Sequence, residues 1–320
     1  MEALGDSAAL YPFALDPARD AMLLVPMAKT DYRAASFLDE RLGKRGAWTP
    51  LPRVAEALSG ARDVRPLHFI FHAGHVGSTL LSRLLDETGA VLSLREPLPL
   101  RQLADGHDQG LDLDATFETM LRLWERGFES TQAVVLKATS AAVRIAPKLL
   151  AMRPNARAVM LNVSAETYLA TMLAGENSAK DLNAHGPERL HRLSARLGAP
   201  APRPTNLGQL AAMSWLAEAL TQAELARAFG ARVLAVDFDS LLVALPETLR
   251  TVLDHFALPE AEIAGDALAR YSKAPEHAYG PELRARRLDE ARRLYPREIS
   301  AAIGWLQTLG AQYRSVAALL

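Results

Sequence analysis

One short stretch constrains the fold of this chain more than any other. An apolar run at residues 67–71 is followed by two glycines, Gly74 and Gly77, and then by leucines that recur at helical spacing from Leu80. This order predicts a buried strand, a tight turn and an amphipathic helix. The turn would lie at the N-terminus of the helix, where unpaired backbone N–H groups and the positive end of the helix dipole attract anions. We therefore predict a phosphate-binding turn.

The residue types in this turn suit an anionic ligand. Its glycines allow the backbone to approach a phosphate closely, and two hydroxyl side chains add hydrogen-bond donors. The predicted binding residues are Gly74, His75, Val76, Gly77, Ser78 and Thr79. The alternative interpretation is an ordinary strand–turn–helix unit with incidental glycines.

The turn matches neither of two common phosphate-binding patterns. A Walker A loop reads G-x-x-x-x-G-K-[ST], whereas here His72 occupies the first glycine position and Ser78 the lysine position. The dinucleotide pattern G-x-G-x-x-G is also absent from this turn. We interpret His72 as a strand-end histidine whose ring is satisfied by a hydrogen bond.

Composition excludes several classes of function. Lys+Arg 36 against Asp+Glu 37 gives a net charge of -1, so we expect neither nucleic acid nor an anionic membrane as a partner. The cysteine count of 0 excludes disulfides, thiol catalysis and thiolate zinc sites. The sequence has no apolar run of membrane-spanning length and no secretory signal pattern at its N-terminus. We expect a soluble, cytoplasmic protein.

Five apolar runs at intervals along the chain predict a sheet. They lie at residues 67–71, 90–94, 133–136, 158–161 and 233–236, and helical patterns separate them. Continuous apolar runs are typical of strands buried on both faces, and strands that alternate with helices form parallel sheets. The predicted fold class is therefore α/β, with a doubly wound, mostly parallel sheet flanked by helices. Ligands of such folds bind at the carboxyl ends of the strands.

Polar residues follow each of the later predicted strands. Glu96 comes after the second run, Lys137 after the third, Asn162 after the fourth and Asp237 after the last. A buried lysine is costly without an anion nearby, which makes Lys137 a candidate functional group. The structural alternatives are a surface salt bridge for Lys137 and, for Glu96, a carboxylate favoured by the dipole at the start of a helix.

The remaining segments are expected to surround this domain. Residues 1–60 are predicted to form a flank packed on the core, with a strand at 21–27 and a helix at 31–42, and residues 61–320 the α/β domain. The segment 175–207 is rich in Pro, Arg and polar residues, which favours a mobile insertion or substrate-side loop. A long helix is predicted at 208–229 with Trp215 in the core, and C-terminal helices at 282–320.

The turn and three later segments resemble the sulfotransferase family. Residues 77–81, Gly-Ser-Thr-Leu-Leu, resemble its 5′-phosphosulfate-binding loop, [KR]-S-G-[ST]-T-L-L, with His75 in the position of the Lys or Arg. Residues 95–97, Arg-Glu-Pro, resemble the Glu-Pro that ends the second strand in tyrosylprotein-type and many bacterial members. Residues 135–139 resemble the K-[TD]-P segment without its Pro, and residues 234–256 resemble the Y-E-D-L…P…F segment. The resemblance spans about residues 67 to 260, in the order of the family.

This resemblance implies a P-loop fold of the sulfotransferase type and a specific chemistry. The co-substrate would be 3′-phosphoadenosine 5′-phosphosulfate, without a metal ion. Glu96 would act as the base that takes the proton of an acceptor hydroxyl, and Lys137 would stabilise charge on the leaving phosphate. His75 would be a third catalytic residue, kept protonated by the bound phosphosulfate. The acceptor would be a small-molecule or carbohydrate hydroxyl, with a lipid or a peptide tyrosine as alternatives.

The chain departs from the family pattern at the site for the 3′-phosphate. The family uses an Arg after the fourth strand and a Ser eight residues later, and the nearest residues here are Asn162 and Ala170, or Val163 and Thr171 one step along. We expect Asn162 and Thr171 to contact the cofactor, and Lys273 to supply the missing positive charge. The other candidates for that charge are Arg144, Lys180 and Arg270.

Two further functions fit the sequence. A P-loop kinase or hydrolase would use Asp237 as a magnesium-binding carboxylate, but it would also need the Walker lysine that this chain lacks. A non-catalytic nucleotide-binding protein on the same fold is the other alternative. Histidine titrates near pH 6.5, so His75 is a weaker cation at neutral pH than the Lys or Arg of the family.

Overall fold

The N-terminal part of the chain forms a small antiparallel sheet. The computed structural model describes residues 4–61, 64–175, 177–261 and 280–320. Its first strands are β1 (Leu10–Asp16), β2 (Ala21–Pro26) and β3 (Ala47–Pro50), which pair in that order. The strand predicted at 21–27 is therefore present as β2, and it pairs with two strands that were not predicted.

The helix expected at 31–42 is wrong beyond its first turn. Helix α1 spans only Lys29–Ala34, and Glu40–Leu42 form a separate 3₁₀ turn. Between them Leu38 is bound to the central sheet: its N–H donates to the Arg95 carbonyl at 2.7 Å, and its carbonyl accepts from the Leu98 N–H at 3.1 Å. These long-range bonds hold the chain away from a helical path, so tertiary contacts override the local pattern.

Five parallel strands form the central sheet. They are β4 (Leu67–His72), β5 (Val91–Arg95), β6 (Ala133–Lys137), β7 (Ala158–Asn162) and β8 (Val233–Asp237), in the order β5-β6-β4-β7-β8. All five predicted strands are confirmed, and every neighbouring pair is parallel. The chain builds one side of the sheet after β4 and then crosses to the other side, so the carboxyl end of β4 lies at a topological switch point.

Helices cover both faces of this sheet. One core contains Ile70, Leu81 and Trp215, and the other contains Phe69 together with Tyr11 from β1. Since adjacent residues of β4 enter different cores, the sheet is buried on both sides, which confirms the doubly wound α/β class. The other helices in the described residues are α2 (Leu51–Ser59), α3 (Ser78–Glu87), α4 (Leu98–Asp108), α5 (Asp114–Trp124), α6 (Ala146–Met152), α7 (Ala165–Ala174), α8 (Ser178–Leu197), α9 (Leu207–Phe229), α10 (Phe238–Val243), α11 (Leu245–His255), α12 (Pro281–Leu294), α13 (Pro296–Gln312) and α14 (Arg314–Ala317). Within the described ranges, no helix has the length and apolar character needed to cross a bilayer.

The loop expected at 175–207 is wrong, because most of this segment is the helix α8. Its buried positions Leu182, Gly186, Arg189 and Leu193 recur at helical spacing, although only two of them are large and apolar. Gly186 packs closely enough against Leu210 of α9 that an added Cβ would lie 3.1 Å from its Cδ1. The sequence pattern did not predict this helix because a glycine and an arginine occupy buried positions that usually carry aliphatic side chains.

Candidate active site

The predicted phosphate-binding turn connects β4 to α3. Gly74, His75 and Gly77 all have positive φ angles, of 95°, 55° and 73°. Gly77 is the N-cap residue of α3 and no side chain caps the helix. The first N–H groups of α3 are therefore left for a ligand or for water, as an anion site at a helix N-terminus requires.

His72 fixes the turn to the neighbouring strand. Its Nδ1 accepts a hydrogen bond from the Gly74 N–H at 3.0 Å, and its Nε2 lies 2.8 Å from the carbonyl oxygen of Ala138. Because Nδ1 is an acceptor, the ring proton is on Nε2. Burial, reinforced by the nearby charge of Lys137, lowers the pKa of His72 well below its usual value. His72 is thus a neutral, hydrogen-bonded strand-end histidine, as the sequence suggested.

Two side chains from other parts of the chain lie beside Gly74. The hydroxyl of Tyr168 on α7 donates to the Ala73 carbonyl at 3.2 Å. A Cβ added at Gly74 would lie 3.5 Å from Oγ of Ser140 and 3.9 Å from the Tyr168 hydroxyl oxygen. The inner side of the turn is therefore lined by polar oxygens from two other elements.

The other glycine of the turn is required by an aromatic contact. A Cβ added at Gly77 would overlap the ring of Phe238, the first residue of α10. Phe238 is buried, and Gly77 remains partly exposed. Close packing and the positive φ angle together explain why only glycine fits at this position.

Glu96 and Lys137 meet at the same edge of the sheet as the turn. Lys137 pairs with Arg95 across β5 and β6 and with Ile70 across β4 and β6. The Lys137 ammonium forms a hydrogen-bonded ion pair with Oε1 of Glu96. The Lys137 side chain is only 1% exposed and that of Glu96 is 18% exposed. Lys137 is therefore a buried charge and not part of a surface salt bridge.

Glu96 is held in a strained backbone conformation. In the described parts of the chain, the non-glycine residues with positive φ are Asp20, His75, Glu96 and Ala257. Two of these four are predicted catalytic residues, and such strain costs about 1–3 kcal/mol where the surrounding structure enforces it. Helix α4 begins after Pro97 and has no side-chain cap. Glu96 therefore does not cap this helix. Its carboxylate forms an ion pair with Lys137 instead.

The N-terminal segment approaches this pair because Arg95 binds it. Arg95 is fully buried, forms an ion pair with Asp86 and donates to the carbonyls of Tyr32, Arg33 and Ala35. As a result, the Phe37 ring centroid lies 5.5 Å from Nζ of Lys137.

A cavity of about 460 Å³ opens next to Phe37, lined by residues 31, 34–37, 41, 42 and 44. The guanidinium carbon of Arg41 lies 3.5 Å from the Phe37 ring centroid and Arg41 pairs with Asp39. Lys44, also in the cavity wall, pairs with Asp31. The cavity thus combines an aromatic ring with charged groups of both signs.

The residues predicted for the 3′-phosphate are placed less directly. Asn162 ends β7, next to the turn, since the preceding Leu161 pairs with His72. Its Oδ1 accepts a hydrogen bond from the Val163 N–H at 2.9 Å. Thr171 lies within α7, where its hydroxyl donates to the Thr167 carbonyl at 2.8 Å. Lys273 and Arg270 lie outside the described residues.

Asp237 has a structural role at the end of β8. Its Oδ1 accepts hydrogen bonds from the Ser240 N–H at 2.8 Å and from the Ser240 hydroxyl at 3.0 Å, so it caps α10. The neighbouring Asp239 pairs with Arg284 of α12. The carboxylate that a kinase-type magnesium site would use is thus already engaged in helix capping.

A buried charge cluster lies behind the turn, on α8 and α9. Arg189 donates through Nε to Glu218 at 3.0 Å and through Nη2 to the Ser140 hydroxyl at 3.2 Å. Arg192 contacts the same Glu218 carboxylate at 2.8 Å. Burial raises the pKa of Glu218, but Arg192 and Arg189 outweigh it and hold that pKa below its usual value. The sequence did not predict this cluster because its two arginines lie in the segment expected to be a loop.

Comparison with known proteins gives similarity at the level of solved structures. No family model matches the chain, and no curated protein matches it. A sulfotransferase domain from the curacin biosynthetic pathway is 13% identical, with 73% of this chain and 98% of that chain covered and a TM-score of 0.44. A sulfotransferase domain from the Synechococcus PCC 7002 olefin synthase is 15% identical, with 73% and 89% covered and a TM-score of 0.42. A mouse sulfotransferase complexed with PAP is 11% identical, with 81% and 89% covered and a TM-score of 0.45.

All three of these structures are sulfotransferases, the family that the sequence motifs resemble. Their TM-scores are below 0.5 and their identities are at most 15%.

Proposed function

We propose that this chain is a sulfotransferase-like enzyme that moves a sulfuryl group from 3′-phosphoadenosine 5′-phosphosulfate to a hydroxyl acceptor. The observation that supports this proposal is the ion pair of Glu96 with the buried Lys137, at the same strand ends as an uncapped helix N-terminus. An anion-binding turn, a carboxylate and a buried cation are the three groups that sulfuryl transfer to a hydroxyl requires.

The turn would hold the phosphosulfate end of the donor. The uncapped N–H groups at the start of α3 fit an anion, and Gly74 places no Cβ in the space beside Ser140. Ser78 and Thr79 begin α3 and would add hydroxyl donors. His75 is exposed at the centre of the turn, where its ring can approach the ligand from solvent.

Glu96 would act as the general base. Its carboxylate accepts the proton of the acceptor hydroxyl while the hydroxyl oxygen forms a bond to sulfur. The bond between sulfur and the bridging phosphate oxygen breaks, and its electron pair remains on that oxygen. Lys137 stabilises the negative charge that develops there. The products are the sulfated acceptor and adenosine 3′,5′-bisphosphate, with the proton on Glu96.

The ion pair between Lys137 and Glu96 implies that both groups change partners during the reaction. The Lys137 ammonium has three N–H donors, so it can contact the bridging oxygen while it still contacts Glu96. As the Lys137 charge is drawn to the phosphate, the Glu96 carboxylate becomes available for the hydroxyl proton. The acceptor would enter from the side of Phe37, where the cavity in the N-terminal segment lies.

The far end of the donor is assigned to the other side of β4. Asn162 lies at the end of β7 beside the turn, and Thr171 lies two turns into α7. We propose that these residues, together with Lys273, bind the 3′-phosphate.

Calorimetry with nucleotides tests the proposal. We expect adenosine 3′,5′-bisphosphate to bind the full chain at least tenfold more tightly than ATP, with or without Mg²⁺. Tighter binding of ATP with Mg²⁺ would instead support a kinase or hydrolase. If the bisphosphate binds but no sulfuryl transfer occurs to phenolic, carbohydrate or lipid hydroxyls, the chain is a non-catalytic nucleotide-binding protein.

A further inference from the structure

Arg189 is a buried cation that reaches the turn from α8. Its side chain is 0% exposed, although arginine is among the residues that are least often fully buried. Through Nη2 it donates to the Ser140 hydroxyl, and that hydroxyl oxygen lies 3.5 Å from the Cβ position of Gly74. One hydroxyl group therefore separates the guanidinium from the inner side of the turn.

One nitrogen of Arg189 has no acceptor. Nη1 is buried and, within the part of the chain that the structure describes, no hydrogen-bond partner contacts it. Of the Arg189 nitrogens, only Nε donates to Glu218, and Arg192 donates to the same carboxylate. A buried charged donor without an acceptor is costly, so it calls for an explanation such as a bound anion. Nη1 of Arg196 on the same helix is in the same state, but only Arg189 of these two also contacts Ser140 beside the turn.

The neighbouring Arg192 shows what a satisfied arginine looks like in this cluster. Its three nitrogens donate to Glu188, Glu218, Thr221 and the Ala217 carbonyl. Both arginines contact Glu218, but Arg189 alone extends to Ser140. Arg189, unlike Arg192, therefore extends towards the turn.

Ser140 can pass this interaction on. Its hydroxyl oxygen accepts from Arg189, and a hydroxyl that accepts one hydrogen bond still has its own proton to donate. Gly74 has no side chain, so the space between this hydroxyl and the turn is not filled by a Cβ.

We propose that Arg189 is a binding residue of the anion site, with its Nη1 and the Ser140 hydroxyl donating to an oxygen of the phosphosulfate held by the turn. It supplies, from behind the turn, a permanent positive charge at a site whose own turn carries only His75. This inference rests on the proposed function, since it assigns a further residue to the same site.

Matched lysine variants test the role of Arg189. Arg189→Lys and Arg192→Lys each remove one guanidinium from Glu218, so both should lower the melting temperature, Arg192→Lys by more because Arg192 makes more hydrogen bonds. We expect Arg189→Lys to weaken binding of adenosine 3′,5′-bisphosphate at least tenfold in calorimetry, and Arg192→Lys to change it less than twofold. Ser140→Ala leaves the Arg189–Glu218 pair intact and should weaken binding at least threefold, which keeps the test valid if Arg189→Lys does not fold.

Inorganic pyrophosphate serves as a second probe that separates the two proposals. If the bisphosphate binds the unmodified chain and both the Arg189→Lys and Ser140→Ala variants within twofold of each other, the inference is overturned and the proposed function stands. If the unmodified chain binds pyrophosphate but not the nucleotide, and Arg189→Lys abolishes that binding, the anion site stands and the proposed function fails. Failure of the unmodified chain to bind either probe overturns both.

Discussion

The ammonium group of Lys137 is buried at the end of β6 and forms an ion pair with the carboxylate of Glu96, which follows β5. The two ends of this pair differ in exposure, at 1% for the lysine side chain and 18% for the glutamate side chain. Water can reach Glu96 more easily than Lys137. The loss of either partner should therefore have unequal effects on stability.

Glu96→Gln should abolish sulfuryl transfer and destabilise the fold by about 3 kcal/mol, because it removes the carboxylate that balances the buried Lys137 charge. Lys137→Met should also abolish transfer but cost only about 1 kcal/mol, because the partly exposed Glu96 remains hydrated. The double variant should recover most of the stability lost in Glu96→Gln. Urea unfolding and transfer assays with the phosphosulfate donor measure both effects.

Lys148→Met is the control for this series, since Lys148 pairs with the exposed Asp114 on the surface. It should change neither transfer nor unfolding. Turnover that survives in Glu96→Gln or in Lys137→Met would remove that residue from the mechanism.

Gly77→Ala should destabilise the fold by about 3 kcal/mol or more. The added methyl group overlaps the buried Phe238 ring, and the positive φ angle adds strain of about 1 kcal/mol. It should also weaken binding of adenosine 3′,5′-bisphosphate, because the turn has to shift to accommodate the methyl group. Chemical denaturation and calorimetry measure these two changes.

Gly89→Ala isolates the backbone contribution. Gly89 has φ of 74°, close to the 73° of Gly77, but nothing lies within 4 Å of its Cβ position. We expect a loss of about 1 kcal/mol and unchanged ligand binding. Equal losses in the two variants would mean that the Phe238 contact does not constrain the turn.

The central sheet was predictable from local patterns, and so was the position of the pair that lies on it. The run at 133–136 is apolar throughout and is followed by Lys137. This pattern is typical of a strand that is buried on both faces and ends at a functional edge of the sheet. Because parallel strands share one carboxyl edge, Glu96 and Lys137 could be placed on the same rim without knowing the strand order. Their direct ion pair depends on β5 and β6 being neighbours, which the sequence does not specify.

Contacts between elements distant in sequence were not predictable. Tyr168 and Phe238 contact the turn, and Arg189 contacts Ser140 beside it. Each of these three residues lies at an ordinary position of a different helix. Likewise, the sequence shows Arg95 only as the residue that precedes the predicted base Glu96. Only the folded structure shows that its guanidinium donates hydrogen bonds to the carbonyls of residues 32, 33 and 35.

Arg95→Met should destabilise the fold by about 4 kcal/mol, since it leaves the buried Asp86 carboxylate unpaired and three carbonyls without their donor. Burial raises the pKa of Asp86, although Arg95 acts in the opposite direction. Removal of Arg95 should therefore raise that pKa further. Residues 30–44 should exchange amide hydrogens faster, because Arg95 no longer ties this segment to β5.

Arg101→Ala is the matched control for Arg95→Met. Arg101 pairs with Glu40 at 3.1 Å on the surface of the same region, and its loss should cost at most about 0.5 kcal/mol. Hydrogen exchange of residues 30–44 that is unchanged in Arg95→Met would show that the N-terminal segment is held by other contacts.

His68 should make stability depend on pH below neutrality. Burial, with a further contribution from the charge of Arg157, lowers the pKa of His68 to about 4, against about 6.5 in the unfolded chain. Between these values the unfolded chain binds a proton that the folded chain excludes, so stability falls as pH falls from 6.5 towards 4. Between pH 7.5 and pH 5 this residue alone should account for a loss of about 2 kcal/mol.

His68→Asn should remove this part of the pH dependence. Asparagine does not titrate, and its side-chain oxygen can replace Nδ1 as the acceptor for the Arg157 N–H, now 3.2 Å away. The variant loses the stacking of His68 on Phe256, whose ring centroids lie 5.0 Å apart, so it should be less stable than the unmodified chain at pH 7.5. The gap between the two proteins should narrow by about 2 kcal/mol at pH 5 in urea unfolding. A gap that stays constant from pH 7.5 to pH 5 would mean that His68 does not take up its proton on unfolding.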